Sequence, residues 1–350
     1  MKKCIHWLLL LFVAAALGTG CGSSNQAEDG SKATGAAKPV SKPTTDEEVV
    51  EPDVWVTLEG RRSADDVGVL MAEEKGYFAD LGLGLSVGSG VPELPRRPVT
   101  YVSRGGADLG ISQLPQVVVA KRKRAPVVAV GSVLPQSTVS MIWLKKSKIR
   151  GISDLKGKTI AVPGIPYQEE FLRLILAHVG LTPGDVKVKV VGYNLVPALV
   201  KGQADAIFGG SWNIEGAVLE ARGLRPVIVP PRRLGLPDYD EVVVIARSRR
   251  VARAPRTIRK YMAAVARGTQ AAIEDPEAAL HAIEANEVSP GFGRKGLEAE
   301  LEATLPLLSR TGNLSVARAT HLINWMHRQG LIRQELPASE LVAGDDLLRP

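Results

Sequence analysis

The sequence predicts an α/β protein of two lobes, each a mainly parallel sheet flanked by helices. Three observations carry the prediction. Short runs rich in Val, Ile and Leu alternate with segments whose apolar residues recur at helical spacing, the rhythm of βαβ units. That rhythm occurs twice along the chain. Two apolar runs, residues 139–144 and 241–246, would cross between the two units and leave a cleft where small ligands are commonly held. At 350 residues the chain has the length of about two domains.

Residues 54–58 read as a first strand. Ser63, Asp65 or Asp66 can N-cap a helix carrying Val67, Leu70, Met71 and Phe78 on one face. Residues 82–87, 107–111 and 127–130 follow as strands, with a helix over 114–121. In the second unit, strands are expected at 139–144, 159–162, 187–191, 206–208 and 227–229. Helices lie between them at 169–179, 196–200 and 214–222, with Gly180 and Gly223 as stops. From Thr257 onward the chain reads as mostly helical, with Ser315 as the N-cap of the helix bearing Leu322, Trp325 and Met326.

Hydrophobic residues at 45% and charged residues at 23% are ordinary globular values. The net charge of +7 is spread along the chain, and aromatics are only 5%. That argues against a stacking nucleic-acid binder. The two cysteines, Cys4 and Cys21, both sit at the N-terminus, so the body can form no disulfide and no cysteine-based metal site. The histidines are separated or out of helical register, and no metal site is expected.

The first 21 residues read as an export signal. Lys2 and Lys3 precede an apolar run over 8–17, then Gly18, Thr19, Gly20 and Cys21. The run is short for a bilayer span, which takes about 20 residues. Its ending resembles a bacterial lipobox, with Gly18 where the pattern prefers a large aliphatic. The resemblance implies lipidation at Cys21; the plain alternative is a secreted protein with one spare thiol. Residues 22–53 read as a flexible linker, almost free of aliphatics up to residue 48. Such a stretch reaches roughly 25–30 Å.

Ala72-Glu73-Glu74-Lys75-Gly76-Tyr77-Phe78 with Gly82-Leu83 resembles the opening of solute-binding proteins of bacterial ABC importers. The branch is that of alkanesulfonate, taurine, nitrate and thiamine-pyrimidine-precursor binders. Gly106-Ala107-Asp108-Leu109-Gly110-Ile111-Ser112 adds to the likeness, as do Asp154-Leu155-Lys156-Gly157-Lys158-Thr159-Ile160-Ala161-Val162 and Leu199-Val200-Lys201-Gly202-Gln203-Ala204-Asp205-Ala206. Residues 209–215 look closest to the pyrimidine-precursor binders. The resemblance covers about 54–285 and implies a type II periplasmic-binding fold. Lobe one is then 54–136 plus 241–350 with the C-terminal helices, and lobe two is 137–240.

Candidate ligand-binding residues follow the strand ends. Asp65 and Asp66 come after the first strand, where helix capping is the equal alternative. Ser112 and Gln113 follow the third strand, and Gln136 lies near the first crossing; capping and loop solvation compete there. Tyr167 sits in a Pro-Gly loop at a helix start, and Tyr193 and Asn194 follow a strand, with a turn as the alternative. Trp212, Asn213 and Glu215 form the strongest set, since an indole with polar groups suits a planar heterocycle. The alternative is a core Trp212 and an N-capping Asn213. Residues 121–124 and 247–260 are basic and read as solvated faces, with attraction to a membrane surface as a second reading.

The function expected is a lipid-anchored extracytoplasmic solute-binding protein that closes its lobes on a heterocycle such as a pyrimidine-like thiamine precursor. The partners expected are that small-molecule ligand, an ABC permease with its ATPase, and the membrane through the lipid. No nucleic acid and no cofactor are expected, and the protein is expected to be a monomer. A sulfonate or other oxyanion ligand is the alternative. A surface interaction protein without transport is a third. An enzyme is expected to be excluded. The related thiamine-pyrimidine synthases use a histidine, a pyridoxal-phosphate lysine and a cysteine-rich iron site, whereas Asp65-Asp66 stand near the place of that histidine and the body lacks cysteine.

Overall fold

The computed structural model describes residues 51–58, 62–88, 97–286, 292–344 and 347–348. The expected leader, Cys21 and the linker up to residue 50 lie outside the described residues.

Ten strands build two sheets: β1 Glu51–Thr57, β2 Leu83–Gly88, β3 Leu109–Gln113, β4 Val127–Leu134, β5 Val139–Leu144, β6 Thr159–Val162, β7 Lys187–Val190, β8 Ala206–Ser211, β9 Pro226–Val229 and β10 Val242–Arg247. Their orders are β2-β1-β3-β10-β4 and β7-β6-β8-β5-β9. In each sheet four strands share one direction and one is reversed. The reversed strands are β10, antiparallel to β3 and β4, and β5, antiparallel to β8 and β9. These are the two runs that the sequence marked as crossings, so each crossing strand enters its sheet against the grain. Both are buried almost throughout, which is why they read as unbroken aliphatic runs instead of alternating ones. At one edge β4 is covered by an isolated bridge from Ala129 to Val342; at the other sheet's edge β7 is fully exposed and carries Lys187 and Lys189, which discourage edge pairing.

The helix expected over 67–78 is interrupted. Val67–Glu74 ends before Gly76, whose φ of +72° only glycine adopts cheaply, and Tyr77–Asp80 forms a separate turn. Phe78 still reaches the core, stacked on Tyr261 at 5.5 Å. A helix at Pro98–Ser103 went unread; its proline at the first turn was the available signal. After β8 the helix expected at 214–222 opens instead with a π-turn, Trp212–Gly216, before Ala217–Ala221.

The C-terminal part supplies helices Pro255–Glu274, Pro276–Ala285, Gly293–Thr304 and Val316–Arg328. Ser315 caps the last, its Oγ accepting from the Arg318 amide at 3.2 Å. Helix Pro255–Glu274 crosses Val67–Glu74 with backbones in contact. A Cβ on Gly268 would lie 2.0 Å from the Gly68 carbonyl oxygen, so no side chain fits without separating the helices.

Gly268→Ala is therefore expected to destabilise the protein by about 1–3 kcal/mol through overpacking. Urea unfolding measures it; an unchanged midpoint would show that the crossing tolerates a wider separation.

Candidate functional site

The carboxyl ends of β1, β3, β6 and β8 converge on one cavity of about 830 Å³, open mouth included, between the two sheets. This is where open α/β sheets hold ligands, because the loops there are free to vary while the strands stay fixed. Leu58, Ile111, Val139, Ile165, Ile214 and Val242 supply apolar wall. The polar wall holds Ser63, Asp65, Asp66, Ser112, Gln113, Gln168, Tyr193, Ser211, Glu215 and Glu241. Among the described lining residues there is no lysine, arginine, histidine or cysteine.

Of the residues expected from the sequence, Asp65, Asp66, Ser112, Gln113, Tyr193 and Glu215 line this cavity. Asn213 stands behind the wall, fully buried. Gln136, Tyr167, Asn194 and Trp212 are not among the lining residues. Tyr167 turns into the core against Phe171, 5.2 Å away and edge-on. Its neighbour Gln168 faces the cavity instead. Trp212 is half-buried, neither core nor wall.

Asp65 and Asp66 both line the cavity but differ in their partners. Asp66 caps: its carboxylate accepts from the Ser63 amide at 2.9 Å. Asp65 reaches across to the other sheet's side, where Asn213 Nδ2 donates to it at 3.0 Å. The same Nδ2 donates to Thr304 Oγ1 at 2.9 Å, so helix Gly293–Thr304 joins the arrangement. One turn earlier on that helix, Glu300 Oε1 accepts from the Ala64 amide at 2.7 Å. Glu215 is held by its own turn, accepting from the Ser211 amide at 2.7 Å.

Gln168, Ser211, Ser63 and Glu241 were missed. The carboxylate that directly heads the aliphatic run 242–245 was the signal for Glu241. Its Oε2 accepts from Ser137 Oγ at 2.9 Å and the Thr138 amide at 3.1 Å, which ties the two crossings together. Gln168 owes its place to Gly209, at φ +91°, where a Cβ would lie 2.3 Å from Gln168 Oε1. Ser112 Oγ and Gln168 Oε1 are buried with no hydrogen-bond partner among the described residues.

The carboxylates are crowded and short of water. Burial pushes Asp65 well above the ordinary range, and the charges of Asp66 and Glu300 add to that, against the Asn213 bond. Burial likewise raises Asp66 to about 6, with the Ser63 amide and Arg62 pulling the other way. Glu241 is raised by burial and partly restored by its bonds from Ser137 and Thr138.

An aspartate raised in the folded state binds its proton more tightly there than in the unfolded chain. Its stabilising contribution is therefore complete below about pH 4, the unfolded value, and is lost as pH rises through about 6. Acidification from about pH 7 to about 5 is expected to add about 1 kcal/mol through Asp66, with Asp65 acting in the same direction. Urea midpoints across that range test it: Asp66→Asn should flatten the gain, and a wild type that loses stability on this acidification contradicts the account.

A family profile described as NMT1/THI5 like matches residues 63–279. The chain is 30% identical over 248 residues to a formylaminopyrimidine-binding protein of Halalkalibacterium halodurans, covering 71% of this chain and 74% of that one. It is 28% identical over 224 residues to a 4-amino-5-hydroxymethyl-2-methylpyrimidine phosphate synthase of Aspergillus parasiticus, covering 60% and 64%. In structure it is similar to the alkanesulfonate-binding protein SsuA of Xanthomonas axonopodis pv. citri, with a TM-score of 0.63 at 18% identity, over 83% of this chain and 98% of that one. The architecture is the two-lobed, type II periplasmic-binding fold, and the chain belongs to the NMT1/THI5-like family.

Proposed function

We propose that the protein is an extracytoplasmic solute-binding protein of an ABC importer that holds an aminopyrimidine of the thiamine-precursor type between its lobes and does no chemistry on it. The observation that carries this reading is the wall itself: four carboxylic residues, with no lysine, arginine or histidine among the described lining residues. An aminopyrimidine offers amino N–H donors, which Glu215 and Asp66 can accept, and ring nitrogens, to which a protonated Asp65 can donate. Ser112 and Gln168 bring buried polar atoms in need of partners. The aliphatic wall gives the ring faces a dry surface. The name of the formylaminopyrimidine-binding relative supports the same ligand class.

Two competing readings fit the cavity poorly. A sulfonate or other oxyanion would meet four lining carboxylic residues, with no lysine, arginine or histidine among the described lining residues to offset them. Synthase chemistry would need a lysine for pyridoxal phosphate and a histidine, and the described lining residues contain neither. Lobe one would comprise 54–136 plus 241–350 and lobe two 137–240. They would close about the tied crossings, with Asp65–Asn213 among the bonds made on closure. Delivery to a permease and a lipid on Cys21 complete the proposal.

Calorimetric titration with formylaminopyrimidine tests the site. Asp65→Ala and Glu215→Gln are each expected to weaken binding by about 1–3 kcal/mol, roughly 5- to 150-fold. Trp212→Ala is expected to leave affinity unchanged. Full affinity in both carboxylate variants would remove the basis of the assignment.

For the anchor, Cys21→Ser should move the protein from the membrane fraction to the soluble one, since acyl burial contributes about 0.8 kcal/mol per CH₂. Unaltered detergent partitioning would contradict lipidation.

A further inference from the structure

The positive charge that is spread along the sequence is gathered by the fold. Arg104, residues 121–124 and residues 247–260 hold twelve lysines and arginines, and the rest of the chain carries fewer basic than acidic residues. The strand register brings these stretches to one end of the first sheet. β10 leaves the sheet at Arg247, opposite Val127 where β4 begins and one residue beyond the Ala246–Leu109 pair where β3 begins. The Ser248 amide donates to the Pro126 carbonyl at 2.9 Å, and the Arg247 guanidinium packs over Gly105. Arg104, Lys123, Arg124, Arg249, Arg253 and Arg256 are exposed. The cavity lies at the opposite ends of the same strands, so this charge does not serve the ligand.

Two further features share that end. Trp55 and Tyr101 are each 40% exposed and meet edge-on with ring centroids 5.9 Å apart. They adjoin the basic stretch through Asp108, which accepts from the Trp55 amide at 3.0 Å and from Arg250 at 2.6 Å. The described chain also enters here, because β1 begins at Glu51, four residues before Trp55, with fifty residues preceding it.

We propose that this end of the first sheet is a membrane-facing surface that rests on anionic phospholipid headgroups, with the Trp55–Tyr101 pair at headgroup level. Basic side chains near an anionic bilayer gain about 1 kcal/mol each, and the attraction fades within a Debye length. Indole and phenol rings favour the same depth because one edge is apolar and the other polar. A lipid on Cys21 would hold the entry point of the chain close to the bilayer, which raises the local concentration of this face at the surface. The surface is independent of what the cavity binds.

The test uses the full chain carrying Cys21→Ser, so that no acyl chain contributes, sedimented with vesicles of phosphatidylcholine alone or mixed with phosphatidylglycerol. Binding is expected only to the mixed vesicles and is expected to fall as salt rises. Reversing Lys123, Arg124, Arg249 and Arg253 to Glu should lower the partition coefficient by at least about fivefold per residue, with the melting temperature held. The milder Lys123→Gln with Arg124→Gln should lose proportionately less. Trp55→Ser with Tyr101→Ser should reduce the part of binding that survives high salt. Equal binding to both vesicle types, no binding to either, or a charge-reversed protein that binds like the wild type overturns the proposal. So does release from the mixed vesicles by duplex DNA at equal charge concentration, which would mark a general polyanion surface.

Discussion

Negative charge held out of water is the constraint on which the site depends. Asp65, Asp66, Glu215 and Glu241 line one cavity, and Glu300 is close enough for its charge to act on Asp65. Such a group can persist only if each carboxylate is protonated, capped or bonded from behind. The surrounding structure does this residue by residue. The Ser63 amide donates to Asp66, the Ser211 amide donates to Glu215, and Asn213 reaches Asp65 from the far side of the cavity. The π-turn at Trp212–Gly216 carries both Asn213 and Glu215, so one local distortion after β8 positions two of these contacts.

The crossings between the sheets are organised by the same means. Asp240 is 1% exposed on its side chain and is shared by Arg318, at 2.9 Å, and Ser132 Oγ, at 2.7 Å. Arg318 lies on helix Val316–Arg328, whose Trp325 packs edge-on against Phe171, 5.1 Å away in the second unit. Helix Gly293–Thr304 meets the second unit on another side through Thr304 and Asn213. The C-terminal helices thus touch both sheets' surroundings. Asp240 and Glu241, adjacent in sequence, bind to the two sides of the crossing.

Much of the fold was legible because the strands obey period and burial. The aliphatic runs at β5 and β10 announced central, doubly covered strands, and Ser315 announced its helix by type and position. The break after Glu74 was harder, because the apolar spacing continues through Gly76 to Phe78, and Phe78 is indeed buried. In the site, strand ends located Asp65, Ser112, Tyr193 and Glu215. Facing was not legible: Tyr167 and Gln168 are adjacent, and only the packing of Phe171 decides that the tyrosine goes inward and the glutamine to the cavity. Trp212 stood out by composition, yet the π-turn rotates Glu215 to the wall and leaves the indole half-exposed. Thr304 lies 91 residues beyond Asn213, and Glu300 lies 236 beyond Ala64, distances over which no local pattern speaks.

The gathering of charge follows the same logic. Arg104, residues 121–124 and residues 247–260 are far apart in sequence, and the reversed direction of β10 alone brings its end to the starts of β3 and β4. The central claim, that a wall of carboxylates selects a nitrogen heterocycle and turns away oxyanions, is tested most directly by titrating the wild-type protein in parallel with formylaminopyrimidine and with taurine, a sulfonate. The account predicts saturable heat with the first and none with the second; saturable binding of taurine, with no heat from the pyrimidine, would contradict it.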